Sequence, residues 1–456
     1  YTLLRDGLAY EKTKADDLFA EILSSSKQEI QANFAEGYWV DHWTYNVDLL
    51  ENYSSIFPDK EEALFFTKDY GYFYDPVYVN PRSEKYCLLP DGKVRQYGAI
   101  DLKALKEKCE KTDFDLQKTA WLADENGEKI TCTLAEKIIG LILVKFSTLD
   151  SAQMGIEMEC EKPGWNDAMN GLPGLFASGV SESVELLRLV RYASKHLKPF
   201  AKRKISLLPE QYRLYVGMRE ALEQLQKQEI TRFQYWDRAT SLRENLRKSY
   251  QDHAESARNE VNLVHLLAFL QEMDAVLSDG LKRAKEAGKG ILPSYLIYRV
   301  ASYEKTDKTN HLGYPIVKVT SFALETLPPF LEASARALKL ADGTLDKTDY
   351  ETIKASDLYD HTLHFYKTCA AIDDAPFEIG RVHAFTKGWL ERECNFLHMD
   401  YKYMLGLLEA GFYSEFFAEI KDSFVVYMDP FVYGRNPSEA SSFVVPTCNP
   451  DSSKHG

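Results

Sequence analysis

The sequence TLAEKIIGLILVKF, residues 133–146, sets the fold class, because it contains the most apolar stretch of the chain. Thr133 is followed three residues later by Glu136, which is the pattern of a capping box at a helix N-terminus. The residues after Glu136 are almost all apolar, so we expect a helix that is buried on most sides. The apolar run is far shorter than the roughly 20 residues that cross a membrane. It therefore predicts a helix in the core of a globular protein.

Helical periodicity also dominates outside this segment. Amphipathic or charged helical patterns cover residues 15–34, 181–196, 210–277, 356–367 and 399–409, and strand-like runs are limited to residues 295–300, 316–319 and 424–427. No Gly/Ser-rich or Pro-rich linker and no short repeat divides the chain. We predict a mainly α protein in which paired helices form a toroid, with a few short strands in loops. A multi-helix bundle is the alternative.

The amino-acid composition indicates which broad class of protein the chain belongs to and which partners are disfavoured. The 456 residues are 45% hydrophobic and 27% charged, as in a globular protein of two or three domains or one large one. The net charge of -14 argues against nucleic acid and anionic membranes as partners. Seven scattered cysteines without a C-x-x-C pair and without a secretory leader are typical of a cytoplasmic protein with reduced thiols. The chain begins with Tyr1, so we expect a piece of a longer polypeptide.

Three loop segments carry polar and aromatic side chains at unusual density. The first is EGYWVDHWTYNVD, residues 36–48, in which the ring of Trp39 could stack on a pyranose and the carboxylate of Asp41 could bind its hydroxyls. The same residues could instead fix a loop, with Asp48 capping the next helix. Spacing leaves both interpretations open.

The second segment is EKPGWNDAMNGLPG, residues 161–174. Its three glycines and two prolines fix an irregular backbone and hold the polar side chains in place. A carboxyl group beside an indole can have a raised pKa through partial desolvation and so keep a proton to donate. Trp165, Asn166 and Asp167 therefore form a candidate acid site. The alternative is a turn in which Asn166 and Asp167 bond their own backbone.

The third segment is GWLERECNFLH, residues 388–398, which places Glu391 and His398 ahead of a helix. These two side chains could bind sugar hydroxyls or an anion, or they could form a capping salt bridge. His361 and His364 are spaced like metal ligands, but no third ligand accompanies them and one face of a helix explains them better. H-E-x-x-H, G-x-S-x-G, P-loop and G-x-G-x-x-G motifs are absent, so we predict no metal and no cofactor.

Taken together, these segments resemble the cellobiose phosphorylase family of inverting glycoside phosphorylases, glycoside hydrolase family 94. The motif Trp165-Asn166-Asp167, followed by Met169 and Asn170, is similar to the family's W-N-D motif. The resemblance implies that Asp167 is the general acid and that Trp165 and Asn166 line the sugar site.

The other two segments add to the resemblance. Glu391, seven residues before His398, resembles the family's Glu ahead of a Phe-x-His run in the sugar-binding wall. Asp41, with Trp39 beside it, is similar to the family's Arg-Asp sugar pair, although Val40 stands in place of the Arg and Gly164 replaces an Asp found in many members. The implied fold is an (α/α)6 barrel over residues 1–456, a divergent catalytic barrel without its flanking β-sandwich and C-terminal modules.

The implied reaction is phosphorolysis of a β-linked gluco-oligosaccharide with inversion. Asp167 would protonate the leaving oxygen while inorganic phosphate attacks the anomeric carbon, which releases α-glucose 1-phosphate. The partners would be the oligosaccharide and phosphate, and the resemblance leaves room for a homodimer. Two alternatives remain: an inverting glycoside hydrolase or glucan glycosyltransferase on the same barrel, and a glucan-binding barrel without catalysis. Linkage and chain-length specificity are not predicted.

Overall fold

A computed structural model describes residues 12–25, 42–67, 69–74, 78–101, 121–160, 162, 164–251, 253–427, 429, 431 and 443–456. Contacts between residues divide the chain into two units, Tyr1–Gly37 and Tyr38–Gly456. The first unit contains the helix Lys12–Ser25. This helix overlaps the one predicted over residues 15–34, and the rest of that prediction lies outside the described residues.

The second unit contains most of the predicted helices and several that were not predicted. The predicted ones are Leu134–Phe146, Val180–Leu197, Leu397–Glu409 and, within residues 210–277, Pro209–Gln226, Arg232–Ser249 and Leu263–Ala287. The others are His42–Ile56, Glu61–Phe66, Arg82–Lys85, Leu331–Leu338, Lys347–Ala355 and Tyr413–Ser423. None of the helices in the described ranges is long and apolar enough to cross a membrane.

The helix Leu134–Phe146 lies in the main core, as its sequence predicts. The backbone N–H of Glu136 donates to Thr133 Oγ1 at 3.3 Å, and the Glu136 carboxylate accepts from the Thr133 N–H at 2.8 Å. The capping box is therefore present. The helix buries Ile139, Ile142 and Phe146 in the main core, where the ring of Phe146 lies 6.3 Å from that of Phe269 in the helix Leu263–Ala287.

A six-stranded antiparallel sheet crosses the second unit, so the prediction of a mainly α (α/α)6 toroid with short strands in loops is wrong. In spatial order its strands are Val94–Gln96, Tyr86–Leu88, Pro315–Thr326, Tyr295–Thr309, Ser178–Gly179 and Ile156–Glu157. The two central strands have 12 and 15 residues and form a long hairpin. Most of the residues from Ala301 to Thr309 of the first strand, and the last residues of the second, Leu324 to Thr326, are exposed and mostly polar, so they lack the apolar run by which a buried strand is recognised in a sequence.

Within the described ranges, five further strand pairs have two to four residues in each strand. They pair Tyr70–Gly71 with Thr131–Cys132, Tyr78–Val79 with Ile100–Asp101, Lys204–Leu207 with Asn259–Asn262, Tyr359–Asp360 with Phe365–Tyr366, and Asn395–Phe396 with Phe443–Val444.

Two local predictions are also wrong. Residues 356–367 form a short hairpin rather than a helix, and His361 and His364 lie between its strands. Residues predicted as a strand at 424–427 contain the 3₁₀ turn Val425–Tyr427. The predicted helix of residues 356–367 fails because the Lys367 N–H bonds the Leu358 carbonyl across the hairpin at 2.7 Å.

Candidate functional site

The segment around Asp167 is an irregular loop whose apolar residues hold it in place. This tryptophan loop, residues 164–175, contains two 3₁₀ turns, Asp167–Met169 and Leu172–Leu175. Met169 and Leu172 are buried in a small core that they share with Ile379 and Val382. Since both 3₁₀ turns are anchored by buried side chains, the backbone on either side of Asp167 is fixed.

A second loop, the arginine loop of residues 376–384, is bonded to the first. The Gly171 N–H donates to the Ile379 carbonyl at 3.1 Å, and the Arg381 N–H donates to Asn170 Oδ1 at 2.9 Å. A Cβ atom on Gly171 would lie 1.9 Å from the Glu378 carbonyl oxygen, so only glycine permits this approach. Gly380 has a φ of 140°, which also favours glycine. The two loops therefore form one framework.

This framework brings Arg381 to Asp167. A guanidinium nitrogen of Arg381 lies 2.8 Å from Asp167 Oδ2, and the two side chains are 51% and 35% exposed. Asn166 is buried, and no hydrogen bond joins its side-chain amide to the described residues. The alternative of a turn stabilised by the Asn166 side chain is therefore not what the loop contains.

Glu391 lies in a third loop, residues 386–394, which has an unusual backbone. Leu390 and Glu393 have φ values of 52° and 57°, a left-handed conformation that is uncommon for residues other than glycine. Neighbouring hydrogen bonds hold it, since the Thr368 N–H donates to the Cys394 carbonyl at 2.6 Å. Such strain is maintained by the surrounding structure and is often found at functional sites.

Glu391 is half-buried and shares its surroundings with Asp167 and Arg381. Burial raises the pKa of the Glu391 carboxyl, and the negative charge of Asp167 raises it further, whereas Arg381 lowers it. These interactions place two carboxyl groups and one guanidinium in a single site. Two neighbouring carboxyl groups, one of which has a raised pKa, are an arrangement that acid–base catalysis uses.

Trp165 and His398 are in direct contact. The Trp165 Nε1–H donates to His398 Nδ1 at 3.0 Å, and the ring of Phe396 lies 5.3 Å from that of Trp165. The indole N–H is only a donor, so Nδ1 of His398 must be the acceptor. In the neutral imidazole the proton then lies on Nε2, which is thereby a donor.

The structure thus joins the predicted site residues in two pairs, since Trp165 contacts His398 and Asp167 interacts with Glu391 through charge. Asn166 is next to them in the tryptophan loop but is only 2% exposed. Trp39 and Asp41, the predicted sugar-binding pair of the first segment, lie outside the described residues.

Asp48 of that first segment has a different role from the predicted one. It lies inside the helix His42–Ile56, so it does not cap the helix. Its carboxylate accepts from Lys339 at 3.0 Å and from Arg188 at 2.5 Å. Burial acts to raise the pKa of Asp48, but these two cations lower it overall. The helix-capping prediction for Asp48 is wrong.

Sequence reasoning missed Arg381. No motif surrounds it, and Asp167 is far away in the sequence. The only local sign is the glycine before it, which is compatible with many turns. Arg381 becomes a site residue because Gly171 and Asn170 bind the arginine loop.

Neither a protein-family model nor a curated protein sequence matches this chain. In the described part of the chain no group of three His, Cys, Asp or Glu side chains could hold a metal ion.

Proposed function

We propose that the chain carries an inverting glycoside phosphorylase site that acts on β-linked gluco-oligosaccharides. The observation that supports this most is the contact between two distant motifs, in which Trp165 of the W-N-D segment bonds His398 of the third segment at 3.0 Å. The proposal depends on these local motifs and not on the barrel, which the structure does not have.

In this proposal the saccharide lies against the Trp165 indole, because sugar rings stack on aromatic faces. Glu391 accepts hydrogen bonds from sugar hydroxyls, and His398 donates one through Nε2. Asp167, which is partly exposed, donates a proton to the leaving glycosidic oxygen. Inorganic phosphate attacks the anomeric carbon from the opposite face and forms α-glucose 1-phosphate.

No cofactor takes part, and the oligosaccharide and phosphate are the partners. The proposed location is the cytoplasm, where free thiols stay reduced.

A second candidate is an inverting glycoside hydrolase. The raised pKa of Glu391 and its charge interaction with Asp167 favour it, since such hydrolases use one carboxyl as acid and the other as base. Phosphate is already a nucleophile, so a phosphorylase does not need that base. Product analysis with and without phosphate distinguishes the two: a phosphorylase releases sugar 1-phosphate and a hydrolase releases free sugar.

The test of the proposal is the substitution Asp167→Asn. General acid catalysis contributes about 10²- to 10⁴-fold, so kcat on an unactivated saccharide should fall by at least about 10²-fold while KM changes little. An aryl glycoside with an acidic leaving group needs less protonation and should lose less activity. The measurement is kcat on both substrates at saturating phosphate.

The matched control is Asp279→Asn, which removes a half-exposed carboxylate that pairs with Arg283 one turn away in the helix Leu263–Ala287. This control should retain full activity. Near wild-type turnover of the unactivated saccharide by Asp167→Asn would exclude Asp167 as the acid.

A further inference from the structure

Three helices of the second unit carry large apolar side chains on their exposed sides. In chain order they are His42–Ile56, Leu397–Glu409 and Tyr413–Ser423, called here the first, second and third helix. Eight of their side chains are between 36% and 66% exposed and form what we call the apolar face: Leu49, Tyr53, Ile56, Tyr401, Leu405, Leu408, Tyr413 and Phe417. Single exposed apolar side chains are ordinary in soluble proteins, whereas a group on neighbouring helices marks an interaction surface.

The three helices are neighbours, so their exposed side chains belong to one surface. The Lys402 ammonium group donates to the Tyr45 hydroxyl at 3.0 Å, which joins the second helix to the first. Further along the same two helices, the negative charge of Asp48 acts on the carboxyl group of Glu409. The second and third helices follow each other in the chain and pack together.

The area of the apolar face matches the requirement of a stable dimer. A large apolar side chain has an accessible area on the order of 200 Å², so eight that are about half exposed present roughly 800 Å². The largest apolar patch of a typical monomer is about 300–600 Å². A dimer interface of standard size buries about 800 Å² on each protomer. The apolar face is therefore larger than a monomer usually exposes and large enough to bind a partner.

The second helix indicates which partner the face binds. Its exposed apolar residues, Tyr401, Leu405 and Leu408, are four and three residues apart, which is the spacing by which two helices pack along a seam. Lys402 and Glu409 border this seam, and because they are seven residues apart they lie on the same side of it. The seam thus has a cation near one end and an anion near the other.

This arrangement of charges makes the seam complementary to a second copy of itself. If two such helices meet antiparallel about a twofold axis at Leu405, Tyr401 of one protomer lies against Leu408 of the partner subunit. Lys402 of each protomer then lies beside Glu409 of the partner subunit, so two pairs of opposite charge form, one on each side of the axis. A twofold dimer is also the commonest form of protein oligomer.

We propose that the apolar face is a twofold interface between two copies of this chain, with the second helices antiparallel at its centre. Burial of the apolar side chains supplies the affinity, and the pairs of Lys402 with Glu409 set the orientation. The inference is independent of the proposed phosphorylase function, because it uses no residue of the tryptophan loop or the arginine loop.

The first experiment is sedimentation velocity of the 456-residue chain. Interfaces of standard size have Kd values from about 1 μM to about 1 pM, so at about 10 μM protein the wild type should sediment as a dimer. Leu405→Glu places two carboxylates together at the twofold axis and should weaken association by at least about 100-fold, which leaves a monomer. Val264→Glu makes the same kind of change at an exposed position of the helix Leu263–Ala287 and should remain a dimer.

A second experiment, an exchange of charges, tests the antiparallel orientation. Lys402→Glu and Glu409→Lys each bring like charges together in both symmetric pairs, so each should raise the Kd of the dimer by about 5- to 30-fold. The double variant Lys402→Glu/Glu409→Lys restores opposite charges and should recover most of the wild-type affinity. If the single variants instead act through the contact of Lys402 with Tyr45 inside one protomer, the second substitution would recover nothing.

Three results would overturn the proposal: a wild type that is monomeric at about 10 μM protein, a dimer that persists in Leu405→Glu, or a double charge variant that associates no better than the single variants. In a monomeric wild type, protection of Leu405 from hydroxyl-radical labelling would assign the apolar face to a segment of the same chain. Thermal denaturation shows whether each variant is folded, and the charge exchange retains the test if Leu405→Glu unfolds.

Discussion

Two carboxyl groups and one guanidinium group set the chemistry of the candidate site. Asp167 and Arg381 are in contact at 2.8 Å, and Glu391 interacts with both. Because the pKa of Glu391 is raised by burial and by Asp167, its ionisation responds to the charge on Asp167.

We therefore predict that Asp167→Asn lowers the pKa of Glu391. The substitution removes a negative charge and leaves the guanidinium of Arg381 nearby, and both effects favour the ionised form of Glu391. The measurement is a carbon NMR titration of the glutamate carboxyl groups, with the Glu391 signal assigned by its absence in Glu391→Gln. An unchanged pKa would mean that the two carboxyl groups do not share a site.

The tryptophan loop and the arginine loop meet at Gly171. Gly171 approaches the Glu378 carbonyl so closely that a Cβ atom would lie 1.9 Å from it. Gly174, three residues later in the same loop, has its nearest neighbour for a Cβ atom at 3.8 Å, the Gln96 carbonyl. The two glycines offer a comparison within one loop.

We expect Gly171→Ala to separate the two loops and Gly174→Ala to be tolerated. Loss of the junction moves Arg381 from Asp167, so Gly171→Ala should lose phosphorolysis and should be destabilised by about 1–3 kcal/mol, the usual cost of overpacking. Urea denaturation and phosphorolysis by both variants measure this. Equal stability and equal activity in the two variants would contradict the role of the junction.

The stability of the folded chain as a function of pH depends in part on Asp400. This residue is fully buried in the helix Leu397–Glu409, and the Asn395 side-chain amide donates to its Oδ2 at 3.1 Å. Burial raises the pKa of Asp400 to about 7. Between its ordinary value of 3.8 and about 7, the folded state holds a proton that the unfolded state has released. Stability therefore falls as the pH rises through this window.

We predict that Asp400→Asn is more stable than the wild type at pH 8 and has similar stability near pH 4. The Asn side chain has nearly the same shape, its oxygen can accept from Asn395, and it does not ionise. Each pH unit of the window contributes roughly 1.4 kcal/mol for one fully shifted group. The free energy of unfolding in urea, measured from pH 4 to pH 8, tests this. As a control, Asp91→Asn, which changes an exposed carboxylate, should show the same dependence of unfolding free energy on pH as the wild type. The same dependence in Asp400→Asn would refute the prediction.

Local patterns predicted several of the helices, among them Leu134–Phe146 and Val180–Leu197, because the interactions that form a helix are local. The capping box of Thr133 and Glu136 is made by residues three apart and is found as predicted. The W-N-D segment and the segment with Glu391 and His398 were recognised for the same reason, since each motif lies within a few residues. Residues 356–367 show the limit, because their apolar spacing suits a helix while the chain forms a hairpin.

The six-stranded sheet and the contact between Arg381 and Asp167 come from packing between distant segments, which no local pattern predicts. The six-stranded sheet joins strands from residues 86–96, 156–179 and 295–326, and its pairing free energy comes from neighbours that no short window includes. In the same way Arg381 reaches Asp167 because Gly171 allows two backbones to approach. Local sequence patterns therefore predicted the capped helix Leu134–Phe146 and the motifs of the candidate site, but they did not predict helices such as His42–Ile56 and Tyr413–Ser423. The sheet and the cation of the site depend on contacts between residues far apart in the chain.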